Sequence, residues 1–291
     1  MITILDGGMG QELIRRGAAK RTKLWSAQAL LDAPELVADV HRDYIDAGAR
    51  IIITNSYSTI PSYLSKVGME ERFAELTSLA ARIARSVADE SEHAVRVAGS
   101  MPPLDESYRP DLVPADEIAM PLYRAIARAL DPSVDIFICE TMSCVREATN
   151  AVSAACEVCD GRKPVYVSWS LDETPGAGLR SGESIAEAFE ALSDYSVSAY
   201  LFNCTSIAAI SAGLLELRTL TEGPMGAYPN RLHIPSNWTL DNEVIASYAE
   251  MSVAEYVGAT RQWAQAGATI IGGCCGIGPE YIAALNESLL D

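Results

Sequence analysis

Short apolar runs rich in β-branched residues alternate along this chain with longer stretches of helical pattern. The strand-like runs are residues 2–5, 50–54, 95–98, 134–138, 165–169, 199–202, 225–228 and 268–271. Helical patterns follow them around 34–47, over 70–90, from Asp116, through Cys156, from Ser184, through Leu220, over 253–266 and after Pro279. Eight strand–helix units with no low-complexity linker predict the α/β class and a single (β/α)8 TIM barrel over residues 1–291. A doubly wound open sheet is the rival architecture, but no Gly-x-Gly-x-x-Gly follows the first strand. The third loop, 101–114, and the seventh, 231–252, are long and are expected to cover the barrel mouth.

Such barrels carry their chemistry where strands end and βα loops begin. The acids Asp6 and Glu140 stand at those ends, with Asn55, Tyr57, Ser100 and Asn230. So do three sulfurs, Cys204 after the sixth strand and Cys274 with Cys275 after the eighth. Neighbouring side chains of a pleated strand point to opposite faces, so adjacent cysteines share a target only after the backbone leaves the pleat. The flanking glycines of Gly272-Gly273-Cys274-Cys275-Gly276 permit that departure. Three thiolates converging on one mouth would bind Zn2+ and leave a fourth position open, the pattern of a catalytic metal site. The plainer reading makes these cysteines small buried hydrophobes, and a strained disulfide between neighbours is a third reading. Cys156-x-x-Cys159 ends a helix without a second pair and reads as structural or solvent-facing.

Composition narrows the class. With 49% hydrophobic and 21% charged residues among 291, the chain can bury a sizeable core. A formal charge of −17 argues against nucleic acid and anionic membranes as partners. No apolar run reaches transmembrane length, and Met1 to Asp6 enters a strand without a basic segment, so no signal peptide is expected. Seven cysteines, an odd count in a long chain, favour reduced thiols and a cytoplasmic location.

Either acid alone reads equally well as a helix cap or a solvated loop residue. Together at one mouth, Asp6 and Glu140 could hold an ammonium group through charge-assisted hydrogen bonds. Gly7 and Gly8 would let a carboxylate approach backbone N–H groups. Tyr57 reads either as a core aromatic or as a phenol reaching a metal or substrate. His41, His93 and His233 all lie away from strand ends, so no histidine triad is on offer.

Asp6-Gly-Gly-Met-Gly-Gln-Glu-Leu13, Glu140-Thr141, Asn203-Cys204-Thr205, Tyr228-Pro-Asn230 and Gly272-Gly-Cys-Cys-Gly276 resemble the homocysteine S-methyltransferase family over nearly the whole chain. The resemblance implies a zinc-holding barrel with Cys204, Cys274 and Cys275 as ligands. It implies that Asp6 and Glu140 grip the homocysteine ammonium, with Gly7 also at the substrate and Tyr57 near the open zinc position. The implied reaction is zinc-dependent methyl transfer to the homocysteine thiolate, giving methionine, and the implied partners are homocysteine and a small methyl donor. One segment departs. Members using sulfonium donors read Gly-Ser-x-Gly-Pro-Tyr after the third strand, whereas this chain reads Gly99-Ser-Met-Pro-Pro-Leu-Asp-Glu-Ser-Tyr108. A sulfonium donor, S-methylmethionine or S-adenosylmethionine, is expected, with betaine and methyl-folate as alternatives. The loop acids Asp105 and Glu106 would attract a cation, and Tyr108 or Trp169 would face it with a ring. Two other classes compete. One is a zinc- or thiol-binding barrel without turnover; the other is a phosphate-binding isomerase or aldolase, which predicts a catalytic Lys or a Glu/His set, and no Lys lies at a strand end. The oligomeric state stays open.

Overall fold

In the computed structural model, which describes residues 2–18, 24–231 and 251–289, every predicted run contains a strand. These are β1 (Thr3–Ile4), β2 (Ile51–Ile53), β3 (Arg96–Met101), β4 (Ile136–Met142), β5 (Val165–Trp169), β6 (Val197–Asn203), β7 (Met225–Tyr228) and β8 (Ile270–Ile271). All pairings are parallel, in the order β1-β8-β7-β6-β5-β4-β3-β2. The bridge Leu5↔Ile51 and the bond from Arg50 N to Ile4 O, 2.8 Å, join β1 to β2 and close the ring. The fold is the expected (β/α)8 barrel.

Two-residue periodicity sorts each strand into an inner and an outer row. Leu5, Ile51, Ala98, Ile138, Leu201 and Ile270 fill a small cluster inside the barrel. Val97, Phe137, Val167, Trp169 and Phe202 face the helices in the larger outer core. Inner rows of branched and small residues fill the barrel axis, so the barrel is a packed core and not a channel. At the C-terminal ends of β3 to β6 the inner row turns polar, because Ser100 follows Ala98, Glu140 follows Ile138, Ser168 follows Tyr166 and Asn203 follows Leu201. Each polar group there finds a partner. Ser100 Oγ donates to Glu140 Oε1 at 2.5 Å, Ser168 Oγ to Asn203 Oδ1 at 2.8 Å, and Asn203 Nδ2 to Thr141 Oγ1 at 2.8 Å.

The long third loop packs as a wall. Leu104 and Ser107 are buried, Ser62 Oγ donates to Leu104 O at 2.8 Å, and Lys66 pairs with Glu106 at 3.0 Å. The seventh loop, except Arg231 and residues 251–252, lies outside the described residues, as does His233. Among the described residues no helix is long and apolar enough to cross a membrane.

Candidate active site

A cavity of about 140 Å³ opens at the C-terminal ends of the strands. Asp6, Tyr57, Glu140, Cys204, Cys274 and Cys275 all line it, and Gly7 and Asn55 border it too. The mouth therefore brings together every residue expected to bind the metal or the acceptor.

The sulfurs converge because two strand ends bend toward each other over β7. Cys204 N donates to Tyr228 O at 3.2 Å and Cys274 N to Pro229 O at 2.8 Å, so both backbones lean on the end of β7. The chain has left β8 at Ile271, and the adjacent cysteines escape the opposite-face rule of the pleat. Gly8 passes so close beneath that a Cβ there would lie 2.6 Å from Cys274 O. Cys204 Sγ stands 3.1 Å from Cys274 Sγ and 3.9 Å from Cys275 Sγ, and all three sulfurs lie within 4.8 Å of one another. A zinc ion with Zn–S bonds near 2.3 Å would space tetrahedral sulfurs by about 3.8 Å. The spacings of the triad bracket that value, and its thiol donor set is the kind zinc prefers. Two further groups touch Cys204 Sγ, the Tyr108 hydroxyl at 2.8 Å and Asn230 Nδ2 at 3.9 Å.

Neither acid caps a helix. Asp6 Oδ2 accepts from the Ile53 N–H at 2.8 Å, and Glu140 sits within β4. Asp6 Oδ1 is buried with no hydrogen-bond partner, whereas Glu140 accepts from Ser100 and, at 3.2 Å, from the Tyr228 hydroxyl. Burial lifts the Asp6 carboxyl well above the usual range, the Ile53 amide opposes this, and the charge of Glu140 adds to it. Burial likewise lifts Glu140 to about 7, with the Ser100 hydrogen bond working against the rise. Two buried carboxyls whose ionisation is made costly by burial favour a cation between them. An ammonium group meets that demand.

Tyr57 lines the cavity and its hydroxyl shares a 2.7 Å hydrogen bond with Ser107 Oγ, tying the second loop to the third. Tyr108 also lines the cavity, but Trp169 does not. Its parity on β5 turns the indole outward, fully buried, onto Tyr200 at 5.9 Å and Phe202 at 6.2 Å between ring centres. Alternation along 165–169 already assigned Trp169 to the row opposite Ser168, and that signal was in the sequence. Glu106 is not a free charge, because Lys66 pairs with it. Trp25 is the lining residue that the sequence hid. Gly10 makes room for it, since a Cβ there would meet Trp25 Nε1 at 2.5 Å. Trp25 sits in an irregular turn, so no periodicity marks it. Cys159 is structural, with Sγ donating to Cys156 O and Lys163 O. His41 is buried in the helix Pro34–Asp46, where burial lowers it to about 3 and keeps the ring neutral, and His93 is exposed.

Backbone strain gathers at the mouth. Trp25, Tyr108, Thr141 and Cys204 adopt φ of 50, 65, 61 and 54°, in the left-handed region that side chains disfavour. Asp160, the remaining described non-glycine residue of this kind, ends the helix Val145–Cys159. Such conformations persist where surrounding contacts impose them, commonly at ligand sites.

A family profile described as homocysteine S-methyltransferase matches residues 3–289. The chain belongs to the homocysteine S-methyltransferase family. Among curated relatives, an Escherichia coli homocysteine S-methyltransferase is 31% identical, covering 98% of this chain and 94% of that protein. The Bacillus subtilis homocysteine S-methyltransferase YbgG is 30% identical, covering 97% and 92%. The crystal structure of the E. coli homocysteine methyltransferase MmuM in its metallated form superposes with a TM-score of 0.80 at 30% identity, covering 98% of this chain and 96% of that one. The likeness thus extends through the whole barrel.

Proposed function

We propose that this enzyme transfers a methyl group from a sulfonium donor to the thiolate of homocysteine, giving methionine, at a zinc site formed by Cys204, Cys274 and Cys275. The observation that carries the reading is one cavity holding three clustered sulfurs beside two buried carboxyls. A metal site alone needs the sulfurs and not the acids, and a phosphate site would place basic or amide donors where Asp6 and Glu140 stand. An amino-acid thiol needs both sets.

When bound, zinc supplies the Lewis acidity that keeps an acceptor thiol deprotonated at neutral pH and fixes its place. The chain's own residues do the rest. Asp6 Oδ1, buried and unpartnered, and Glu140 receive the acceptor's ammonium and so set the distance from amine to sulfur. Gly7 lets the acceptor approach the backbone. Tyr57, Trp25 and Tyr108 wall the cavity with aromatic faces that attract a positive donor. None of the described residues lining the cavity is basic, which favours a cation over an anionic carrier. The acceptor proton goes to solvent before the transfer. A sulfur lone pair of the acceptor then forms the new S–CH3 bond while the donor's S–CH3 bond breaks, and the donor leaves as a neutral thioether. Opposite charges are consumed, so exclusion of water by the walls lowers the barrier.

Methionine formation by zinc-loaded protein, compared across S-methylmethionine, S-adenosylmethionine, betaine and methyltetrahydrofolate with homocysteine as acceptor, tests the reading. Turnover is expected with one or both sulfonium donors. Turnover with the folate alone would overturn the donor assignment, and none with any donor would leave a binding barrel.

A further inference from the structure

The third loop delivers a side chain to the sulfurs. The Tyr108 hydroxyl lies 2.8 Å from Cys204 Sγ. Both residues hold left-handed backbones, φ 65 and 54°. A tyrosine rarely accepts that conformation unless contacts on both sides fix it. Those contacts are present. Ahead of the ring, Ser107 shares its 2.7 Å hydrogen bond with the Tyr57 hydroxyl. Behind it, the Arg180 guanidinium carbon lies 5.0 Å from the ring centre. Arg180 is itself held, with Nε donating to Ser170 Oγ at 3.2 Å and a terminal nitrogen to Glu173 Oε1 at 2.9 Å. Glu173 Oε2 in turn accepts from Ser206 N at 3.2 Å, at the start of the helix that follows Cys204. The chain Tyr108–Arg180–Glu173–Ser206 therefore runs from one side of Cys204 back to the other.

We propose that Tyr108, braced by Arg180, is a positioning residue that donates a hydrogen bond to the Cys204 thiolate and thereby sets both its orientation and its donor strength as a metal ligand. The inference rests on reading the three sulfurs as the zinc site. A sulfur in that role carries negative charge, so the phenol O–H is the donor of the pair. Hydrogen bonds to ligating atoms orient them and tune the metal, and losing such a partner commonly costs about 10–100-fold in metal affinity. The ring stack with Arg180 also makes the phenol a better donor, because the guanidinium charge draws electron density from the ring.

Cobalt in place of zinc gives a readout separate from turnover. Tyr108→Phe keeps the ring and its stack but removes the hydroxyl. It is expected to weaken zinc in chelator competition by about 10-fold. Its cobalt form is expected to show sulfur-to-metal charge-transfer bands at longer wavelength, since a thiolate without a hydrogen bond is the stronger donor. Arg180→Met leaves the hydroxyl and loosens its seat, and a smaller shift in the same direction is expected. Metal-loaded Tyr108→Phe with wild-type bands and wild-type zinc affinity would overturn the inference alone. Wild type that takes up neither zinc nor cobalt would overturn the triad reading and this inference with it.

Discussion

Asp6 and Glu140 are both carboxyls with nearly the same burial, yet their hydrogen-bond states differ. Glu140 is served by two hydroxyls, while one buried oxygen of Asp6, a residue of the cavity lining, has no partner. The open oxygen is the stronger candidate for direct contact with an ammonium, and Glu140 adds charge behind it. Asp6→Asn and Glu140→Gln are therefore both expected to weaken homocysteine binding, the former more. A charge-assisted hydrogen bond contributes roughly 1.5–3 kcal/mol, so the losses should span about one to two orders of magnitude. Zinc content should stay at wild-type level in both variants. Calorimetric titration with homocysteine, beside elemental analysis, measures the two quantities. Unchanged affinity in both variants would remove the acids from the acceptor site. At this scale the sequence told residue type and strand-end position, which is why both acids and all three sulfurs were legible. It could not tell which oxygen would be left open, because the Ile53 N–H that occupies the other belongs to a strand 47 residues away.

Between β4 and the helix Val145–Cys159 the chain makes a tight connection that depends on a buried carboxyl outside the cavity. Glu147 accepts from Ser143 N at 2.7 Å and from Ser143 Oγ at 2.8 Å, closing the first turn of the helix. Burial lifts Glu147 to about 7, against the pull of those Ser143 bonds. The unfolded chain releases this proton near pH 4.3, whereas the folded state keeps it to about pH 7. Folding thus takes up a proton in that window, and the stabilisation is fully present below it and lost as pH rises through 7. Glu147→Gln keeps an acceptor oxygen for Ser143 and carries no charge. Its stability relative to wild type is expected to improve between pH 5 and pH 8, by up to about 3 kcal/mol. Urea unfolding at the two pH values checks this, and a difference that shrinks toward pH 8 would refute it. Element boundaries tell the same story of what sequence carries. The β-branched runs predicted every strand, because alternating burial is written into residue type. Yet β6 starts two residues earlier and β8 two later than predicted, since partner strands decide where a ladder begins. Trp169 was misplaced for a different reason. Its position at the end of β5 points to the mouth, whereas the two-residue alternation of the strand turns the indole outward.

Beside the β1–β2 bridge that closes the barrel, the two shortest strands, β1 and β8, pair through Thr3↔Ile270 and Ile4↔Ile271. The candidate ligands sit beside that closure, with Gly273 N donating to Asp6 O at 2.9 Å just before Cys274. A metal joining Cys204 to Cys274 and Cys275 would cross-link the ends of β6 and β8 over about 70 residues of chain, next to strands whose ladders are only two pairs long. A ligand that binds the folded state alone stabilises it by RT ln(1 + [L]/Kd), or about 2.7 kcal/mol at a hundredfold excess over Kd. For a domain of this size that corresponds to about 5 °C or more in Tm. Protein purified without chelator is expected to hold one zinc per chain and to melt that much higher than the same protein after chelation and dialysis. Cys275→Ser should melt near the chelated wild type and should not fall further when chelator is added. Equal metal content in wild type and Cys275→Ser would refute the ligand assignment. A one-to-one zinc content whose removal leaves Tm unchanged would instead show that the ion does not bridge the ends of β6 and β8, because such a bridge cannot be lost without loosening them.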